Sequence, residues 1–264
     1  MSADAIWAAM KTETIDGIPL SDVIGGGDPK EIANGIIDLI HTNIGLKPSA
    51  AILDVGCGCG RIAAGLAEQI DAEATYAGID IVPRLVEFAR QHITSRYPNF
   101  KFYRRSQSNV AYDFYIRGDE AGSISVISDV CPPGSIDLAI SISLFTHLDF
   151  DEAEAILIEI ETALKSKGKG FLTFFILDEN VRKSISEGKS HFSFEHPSAS
   201  RRAFINRLDV PTHAVGYNKE MLQELLKASG LLMDKHIPGW WCGIAPRPSY
   251  QDAIIVRKAN PQGS

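Results

Sequence analysis

The sequence has no run of about eighteen consecutive apolar residues, so it predicts no membrane-spanning helix. Its first residues, Met1-Ser-Ala-Asp-Ala5, lack the basic start of a signal peptide, and we therefore expect a soluble, cytoplasmic protein with no membrane partner. Four cysteines among 264 residues are too few for a disulfide framework. Cys57 and Cys59 have no nearby histidine that would complete a zinc site, so no metal is predicted.

An excess of basic residues is also absent. The 26 Lys and Arg residues and 33 Asp and Glu residues give a net charge of −7. This balance argues against a broad nucleic-acid-binding surface. The length and the 45% hydrophobic content allow one sizeable core, so residues 1–264 are predicted to form a single domain. The oligomeric state is left open, a homodimer included.

A short apolar stretch runs into three glycines spaced two apart, in Ala51-Ile-Leu-Asp-Val-Gly-Cys-Gly-Cys-Gly-Arg61. The pattern predicts a buried strand, a tight turn and a helix start, which together form a nucleotide-binding corner. A dinucleotide fingerprint requires Gly or Ala where Arg61 stands. Asp54 would also repel a diphosphate, by about 4 kcal/mol at about 4 Å. It would instead attract the ammonium and sulfonium groups of S-adenosylmethionine. A glycine turn that serves only helix packing is the alternative.

The run Asp54-x-Gly56-x-Gly58-x-Gly60 resembles motif I of class I S-adenosylmethionine-dependent methyltransferases. The similarity continues along most of the chain, including Leu144-Phe-Thr-His-Leu148. The resemblance implies an α/β, Rossmann-like fold: a seven-stranded, mostly parallel sheet with flanking helices and an antiparallel C-terminal hairpin. It also implies methyl transfer from S-adenosylmethionine to a hydroxyl, or less favourably an amine, of a small-molecule acceptor such as a sugar or secondary metabolite, with S-adenosylhomocysteine as product.

Two other function classes stay open. A non-catalytic, regulatory S-adenosylmethionine-binding subunit would keep the same acidic residues without turnover. A nicotinamide-dependent oxidoreductase is disfavoured by Asp54 and Arg61.

Strand-like and helix-like segments alternate along the chain, which favours a parallel sheet. After the first strand, the predicted strands are Thr75–Asp80, Phe100–Tyr103, 134–147, Phe171–Leu177, Leu231–Met233 and Tyr250–Val256. Lys167-Gly-Lys-Gly170 predicts a turn before the fifth strand.

The resemblance assigns roles around the cofactor. Asp80 ends the second strand, where a carboxylate accepts hydrogen bonds from both ribose hydroxyls. Ser106 or Gln107 is predicted to hold the adenine, and Ser141 to Leu144 border the methionine end. The predicted cofactor-binding residues are Asp54, Gly56, Cys57, Gly58, Gly60, Arg61, Asp80, Ile81, Ser106, Gln107, Ser141 and Leu144.

Two segments decorate the predicted core. Residues 1–48 form an N-terminal cap in which Asp28 caps a helix that begins at Pro29. Residues 1–28 are interpreted either as a lid over the cofactor or as a cover for the sheet edge. Residues 178–216 hold three histidines, aromatic residues, Arg201 and Arg202, and are interpreted either as a lid for an anionic or polar acceptor or as a solvated loop.

An alcohol acceptor requires a general base, for which a histidine is suited. His147, just beyond the fourth strand, is the first candidate, with a packing role at the helix entry as its alternative. His196 and Tyr217 are further catalytic candidates. Asp149 and Glu152 have capping-box spacing, whereas Asp149 with Asp151 offers a less favoured divalent-metal site.

Overall fold

The computed structural model describes residues 3–106, 123–245 and 247–259. These residues fall into two units, one ending at Cys131 and the other beginning at Pro132. Gln107, predicted to hold the adenine, lies outside the described residues. Within the three described ranges, no α-helix has both the length and the apolar composition needed to cross a bilayer.

The first unit contains three parallel strands separated by helices. Its elements are α1 (Ala3–Thr12), β1 (Thr14–Ile15), β2 (Ile18–Pro19), α2 (Leu20–Val23), α3 (Pro29–Asn43), β3 (Ala51–Val55), α4 (Arg61–Leu66), β4 (Thr75–Asp80), α5 (Pro83–Ala89), a π-helical turn (Arg90–Thr94), β5 (Phe100–Arg104) and a 3-10 turn (Ile127–Asp129). β4 lies between β3 and β5 and is parallel to both, while β1 and β2 form an antiparallel pair. The parallel register places Asp54 opposite Gly78.

The helix predicted after Asp28 is present as α3. The Asp28 carboxylate accepts hydrogen bonds from the backbone N–H groups of Lys30 and Glu31, both at 3.0 Å, and Pro29 occupies the first turn. The cap satisfies two N–H groups that have no partner within the helix. The predicted helix start is therefore confirmed.

The second unit mixes parallel and antiparallel pairing. Its elements are β6 (Ile136–Ser141), a 3-10 turn (Phe145–His147), α6 (Phe150–Ala163), β7 (Leu164–Leu177), α7 (Glu179–Ser186), β8 (His196–Pro197), β9 (Phe204–Ile205), a 3-10 turn (Pro211–His213), β10 (Val215–Asn218), α8 (Lys219–Ala228), β11 (Leu231–Ile237) and β12 (Asp252–Lys258). β6 and β10 are parallel to β7, whereas β12 is antiparallel to β7 and to β11. The mostly parallel α/β fold with an antiparallel C-terminal hairpin is confirmed.

The turn predicted at Lys167–Gly170 is wrong, because these residues lie inside β7. A Cβ at Gly168 would lie 2.8 Å from the Ile136 carbonyl oxygen, so glycine is needed here for a close approach of two backbones.

The segment 178–216 contains more regular structure than its sequence suggests. It includes α7 and three short strands, of which β9 pairs with β10 and β8 pairs with β9, both antiparallel. Strands of two to four residues are too short for a hydrophobic alternation to become visible.

Candidate functional site

The predicted glycine corner forms in the first unit. β3 ends at Val55 and α4 begins at Arg61, with the glycine turn between them. Three glycines in the turn have positive φ: Gly56 (78°), Gly58 (56°) and Gly60 (83°). At Gly60 a Cβ would also lie 2.5 Å from the Ile93 side chain, so both backbone conformation and space require glycine.

Two cysteines fill the space behind the turn. The backbone N–H groups of Gly56 and Cys57 donate to the Ile79 carbonyl at 2.8 and 3.1 Å, which fastens the turn to β4. Cys57 and Cys59 are buried free thiols. Burial raises the pKa of Cys57 well above its usual value and that of Cys59 to about 12. Both are therefore neutral packing groups near pH 7.

Asp80 joins the end of β4 to the glycine turn. Its Oδ2 accepts from the Gly58 N–H at 2.8 Å, and its Oδ1 accepts from the Val82 N–H at 2.9 Å. Burial raises the pKa of Asp80, against the lowering effect of these backbone hydrogen bonds. Each carboxylate oxygen has two lone-pair positions, so the half-buried side chain keeps capacity for further donors.

Asp54 lies deeper than its position at the strand end suggests. It is only 1% exposed, and the Tyr76 hydroxyl donates a hydrogen bond to its Oδ2. Burial raises the pKa of Asp54 to about 7, and the Tyr76 hydrogen bond and the Arg61 charge oppose this rise. Sequence reasoning missed Tyr76. The signal was available, because Tyr76 pairs with Ile52 on the adjacent strand, one diagonal step from Asp54.

The N-terminal segment contacts the glycine turn within the first unit. A Cβ at Gly58 would lie 2.8 Å from Ile24 Cγ2, which shows how closely this side chain covers the turn. The Glu13 carboxylate pairs with Arg84 at 2.7 Å and with His92 at 2.6 Å. These contacts fasten the segment to α5 and to the π-helical turn.

In the second unit, two predicted cofactor residues lie at or just after the carboxyl end of β6. Ser141 is buried in the last position of the strand, and Leu144 is half-buried in the following turn. In open α/β sheets, ligands bind outside the carboxyl ends of the strands.

His147 lies at the end of the 3-10 turn after β6. Its Nδ1 is 2.8 Å from the Thr212 carbonyl oxygen, which only accepts, so Nδ1 carries the proton and Nε2 is the basic nitrogen of the neutral ring. Burial lowers the pKa of His147, and the neighbouring His213 charge acts in the same direction. The ring is therefore neutral near pH 7.

The other two catalytic candidates have different surroundings. Tyr217 is fully buried in β10, and its hydroxyl donates to the Leu148 carbonyl at 2.6 Å. Burial raises the pKa of Tyr217 well above its usual value. His196 lies in β8, and no hydrogen bond joins its side chain to His147 or Tyr217 in the described residues. The catalytic roles of Tyr217 and His196 stay predictions.

The acidic residues after β6 serve the start of α6. Asp149 and Glu152 form the predicted capping box, and Asp149 also accepts from the Ser200 N–H and hydroxyl at 2.8 and 2.6 Å. Asp151 pairs with Arg202 at 3.7 Å. The capping prediction is confirmed. Across residues 3–106, 123–245 and 247–259, no three potential metal-ligating side chains are grouped together.

Arg201 and Arg202, two of the arginines in the predicted acceptor lid, differ in their partners. The Arg202 guanidinium lies 3.3 Å from the Phe150 ring centroid and also pairs with Glu224 at 3.3 Å. Arg201 is exposed, with a positive φ of 59°, and forms no ion pair with a described acidic residue. Of these two arginines, Arg201 is the one whose charge no described acidic residue pairs, so we expect it to be available to a ligand.

Comparison with known proteins identifies a family and several solved structures of similar fold. A family model described as a methyltransferase domain matches residues 46–227. Among solved structures, the chain is similar to a Burkholderia thailandensis 1,6-didemethyltoxoflavin-N1-methyltransferase with bound 1,6-didemethyltoxoflavin and S-adenosylhomocysteine (TM-score 0.58, 16% identity, 98% of this chain and 92% of that one). It is also similar to a magnesium protoporphyrin IX methyltransferase from Synechocystis with bound S-adenosylhomocysteine (0.53, 15%, 97% and 99%). A third similar structure is an S-adenosylmethionine-dependent methyltransferase from Methanosarcina mazei (0.53, 21%, 83% and 96%).

Proposed function

Because the chain belongs to the methyltransferase domain family, we propose that it transfers the methyl group of S-adenosylmethionine to a hydroxyl, or less favourably an amine, of a small molecule. S-adenosylhomocysteine is the product. The observation that carries the proposal is a hydrogen bond in the first unit. Asp80, at the end of β4, accepts from the N–H of Gly58 in the positive-φ glycine turn, so the ends of two adjacent strands are joined.

Asp80 is suited to hold the ribose. Its two oxygens are already fixed by the N–H groups of Gly58 and Val82, so the carboxylate is oriented before a ligand arrives. The remaining lone pairs would accept hydrogen bonds from two vicinal hydroxyls. Ile81, between Asp80 and Val82, and Ser106, two residues after β5, would lie against the adenine side. Gln107 stays the alternative to Ser106 as the predicted adenine-binding residue.

The acidic character of the corner supports a cationic ligand over a diphosphate. Burial raises the pKa of Asp54, and the nearby Asp80 charge raises it further. A phosphate would add a further negative charge, whereas an ammonium would stabilise the ionised form of Asp54. We propose that Asp54 and the turn from Gly56 to Arg61 hold the methionine portion of the cofactor. In the second unit, Ser141 and Leu144 stay predicted cofactor-binding residues.

The chain's own residues have three tasks in the reaction. The bound cofactor would supply a methyl group that is already electrophilic on its sulfonium sulfur. The protein aligns the acceptor oxygen, excludes water and removes the hydroxyl proton. His147 is the proposed base, because its Nδ1 is fixed on Thr212 and its neutral Nε2 is able to take a proton.

We propose a single methyltransferase domain, residues 1–264, with two covers. Residues 1–48 would form the cofactor cap, supported by the Ile24 contact at Gly58 and the Glu13 contacts. Residues 178–216 would form the acceptor lid, whose Phe192 ring lies 5.0 Å from the ring of Phe175 in β7 and 6.4 Å from that of Trp241. A sugar or secondary metabolite is the proposed acceptor.

A screen in two stages tests the function. Stabilisation of the protein by S-adenosylhomocysteine in a thermal-shift assay comes first, because a ligand that binds only the folded state raises the melting temperature. Incubation with S-adenosylmethionine and pooled hydroxyl compounds follows, with mass detection of products that gain one methyl group. Binding without any turnover would instead support the non-catalytic regulatory subunit.

Asp54→Asn is expected to flatten the pH dependence of stability. The pKa of Asp54 is about 7 in the folded protein and near 3.8 in the unfolded chain, so the folded state holds an extra proton between these values. The free energy of unfolding therefore falls as pH rises from about 4 to about 7. Asparagine cannot ionise, so relative to wild type the variant gains about 1 to 3 kcal/mol between pH 5 and pH 8.

Urea unfolding of the ligand-free protein at pH 5 and pH 8 measures this gain. Asp71→Asn, an exposed acid of the same unit, is the matched control and is expected to follow the wild type. Equal pH slopes for Asp54→Asn and wild type would contradict the prediction.

Arg201→Gln and Arg202→Gln are expected to affect different properties. Arg201 would bind an anionic acceptor, so its loss raises the acceptor KM about tenfold. Arg202 is occupied by Phe150, Asp151 and Glu224, so its loss lowers the free energy of unfolding by about 1 kcal/mol and leaves KM unchanged. Steady-state kinetics and urea unfolding distinguish the two. An unchanged KM in Arg201→Gln would count against the acceptor lid.

A further inference from the structure

Ser143 holds an unusual backbone conformation in the turn after β6. Its φ is +62°, in the left-handed region that favours glycine. A residue other than glycine is strained there, because its Cβ approaches the following carbonyl oxygen. Such strain persists only where the surroundings hold the residue in place.

Three hydrogen bonds hold Ser143. Its N–H donates to Thr173 Oγ1 of β7 at 2.8 Å, and its carbonyl accepts from Thr146 Oγ1 at 3.0 Å. Its side-chain Oγ accepts from the Gln251 amide Nε2 at 2.5 Å. Both backbone groups and the hydroxyl are thus fixed by residues from three different parts of the second unit.

The Gln251 contact determines what the Ser143 hydroxyl is able to do. The amide nitrogen only donates, so Ser143 Oγ is the acceptor and its own proton remains to be given. Within the described residues, the hydroxyl of half-buried Ser143 donates to no partner. It lies just beyond the carboxyl end of β6, at the edge where ligands of open α/β sheets bind.

We propose that Ser143 is a ligand-binding residue whose hydroxyl, oriented by Gln251, donates a hydrogen bond to an oxygen of a molecule bound at the carboxyl end of β6. The inference rests on the proposed function. Two sources supply such an oxygen: the small-molecule acceptor and the carboxylate of the cofactor. Glycine would relieve the backbone strain at this position but has no hydroxyl to donate, which accounts for a serine here.

Ser143→Gly separates binding from stability. It relieves the left-handed strain while removing the donor, so the melting temperature is expected to stay equal or rise. The affinity for S-adenosylhomocysteine, or the KM for the acceptor found in the wild-type screen, is expected to worsen at least fivefold. Ser143→Ala keeps the strain and loses the donor, so its ligand defect should match that of Ser143→Gly although its melting temperature is lower.

Two further variants complete the design. Gln251→Leu removes the orienting amide and should give a smaller defect for the same ligand. Ser135→Ala is the matched control, since Ser135 is a half-buried serine just before β6, at the opposite end of that strand from Ser143, and it should leave both ligand parameters unchanged.

The outcomes are distinct. A weaker S-adenosylhomocysteine affinity assigns the oxygen to the cofactor carboxylate, and a raised acceptor KM alone assigns it to the acceptor. Wild-type values of both in Ser143→Gly would overturn the proposal, as would ligand defects that follow melting temperature across the variants. Failure of the wild-type protein to bind S-adenosylhomocysteine or to methylate any pool would instead refute the proposed function.

Discussion

Asp80→Ala is expected to weaken the binding of S-adenosylhomocysteine about a hundredfold. Two hydrogen bonds to a carboxylate, each contributing about 1.5 kcal/mol, correspond to a factor of this size. The substitution also leaves the N–H groups of Gly58 and Val82 without their acceptor, so the glycine turn is held to β4 only by the hydrogen bonds from Gly56 and Cys57 to the Ile79 carbonyl among those described here. Isothermal titration calorimetry at constant pH measures the change directly.

Two companion variants define the cause. Asp80→Asn retains one acceptor oxygen and should bind with intermediate affinity. Asp71→Ala removes an exposed acid of the same unit and should bind like the wild type. If Asp80→Ala bound S-adenosylhomocysteine as tightly as Asp71→Ala, the carboxylate would have no role at the ribose.

Asp252→Ala is expected to lower the free energy of unfolding by about 3 to 5 kcal/mol. Asp252 is 1% exposed and accepts four hydrogen bonds. Its donors are Ile176 N–H at 2.9 Å, Gly239 N–H at 2.9 Å, Trp241 Nε1–H at 2.7 Å and His236 Nε2 at 3.2 Å. Alanine would leave these donors unsatisfied in a buried site, and each unsatisfied group carries a desolvation cost.

Asp234→Ala provides the matched comparison for Asp252. Asp234 lies in the same hairpin and pairs with Lys169 and Arg257, but all three side chains are more than a quarter exposed. Surface pairs contribute little, so its loss should cost about 1 kcal/mol or less. Urea unfolding of both variants decides the matter. Equal losses of unfolding free energy in the two variants would show that the buried hydrogen bonds of Asp252 stabilise the protein no more than a surface ion pair does.

Much of the fold was predictable because its signals are local. The apolar run at Ala51–Val55, the glycines after it and Asp28 before Pro29 each specify a strand, a turn or a helix start from neighbouring residues alone. The capping box at Asp149 and Glu152 is of the same kind. Local chemistry determines these features, so the structure reproduces them.

Other features depend on residues far apart in the sequence. Gly168 belongs to a strand because the Ile136 backbone approaches it, and no neighbour of Gly168 reveals this. Strand β10 pairs with β7, and β9 and β8 are added to the sheet beyond β10, so these short strands depend on a partner that is distant in the sequence. Asp252 accepts hydrogen bonds from donors in three different segments, which local sequence does not reveal. An acid at the head of the apolar run Ala253–Val256 is nevertheless a sequence signal of a buried, hydrogen-bonded carboxylate.

The same division holds for the site. The glycine turn and Asp80 were identified from spacing, and the structure joins them through the Gly58 N–H. The hydrogen bond from Tyr76 to Asp54 depends on the strand register. The hydrogen bond from Gln251 to Ser143 joins residues that are 108 positions apart in the sequence. If residues 178–216 form the proposed acceptor lid, the choice of acceptor would depend on the shape of that segment, which sequence spacing does not determine.

Paired calorimetric titrations of the wild-type protein with S-adenosylhomocysteine and with NADH distinguish a methyltransferase cofactor site from a dinucleotide site. Saturable binding of S-adenosylhomocysteine at one site per chain and no binding of NADH are expected, because Asp54 and Asp80 disfavour a diphosphate in the glycine corner. Saturable binding of NADH without any binding of S-adenosylhomocysteine would contradict this expectation.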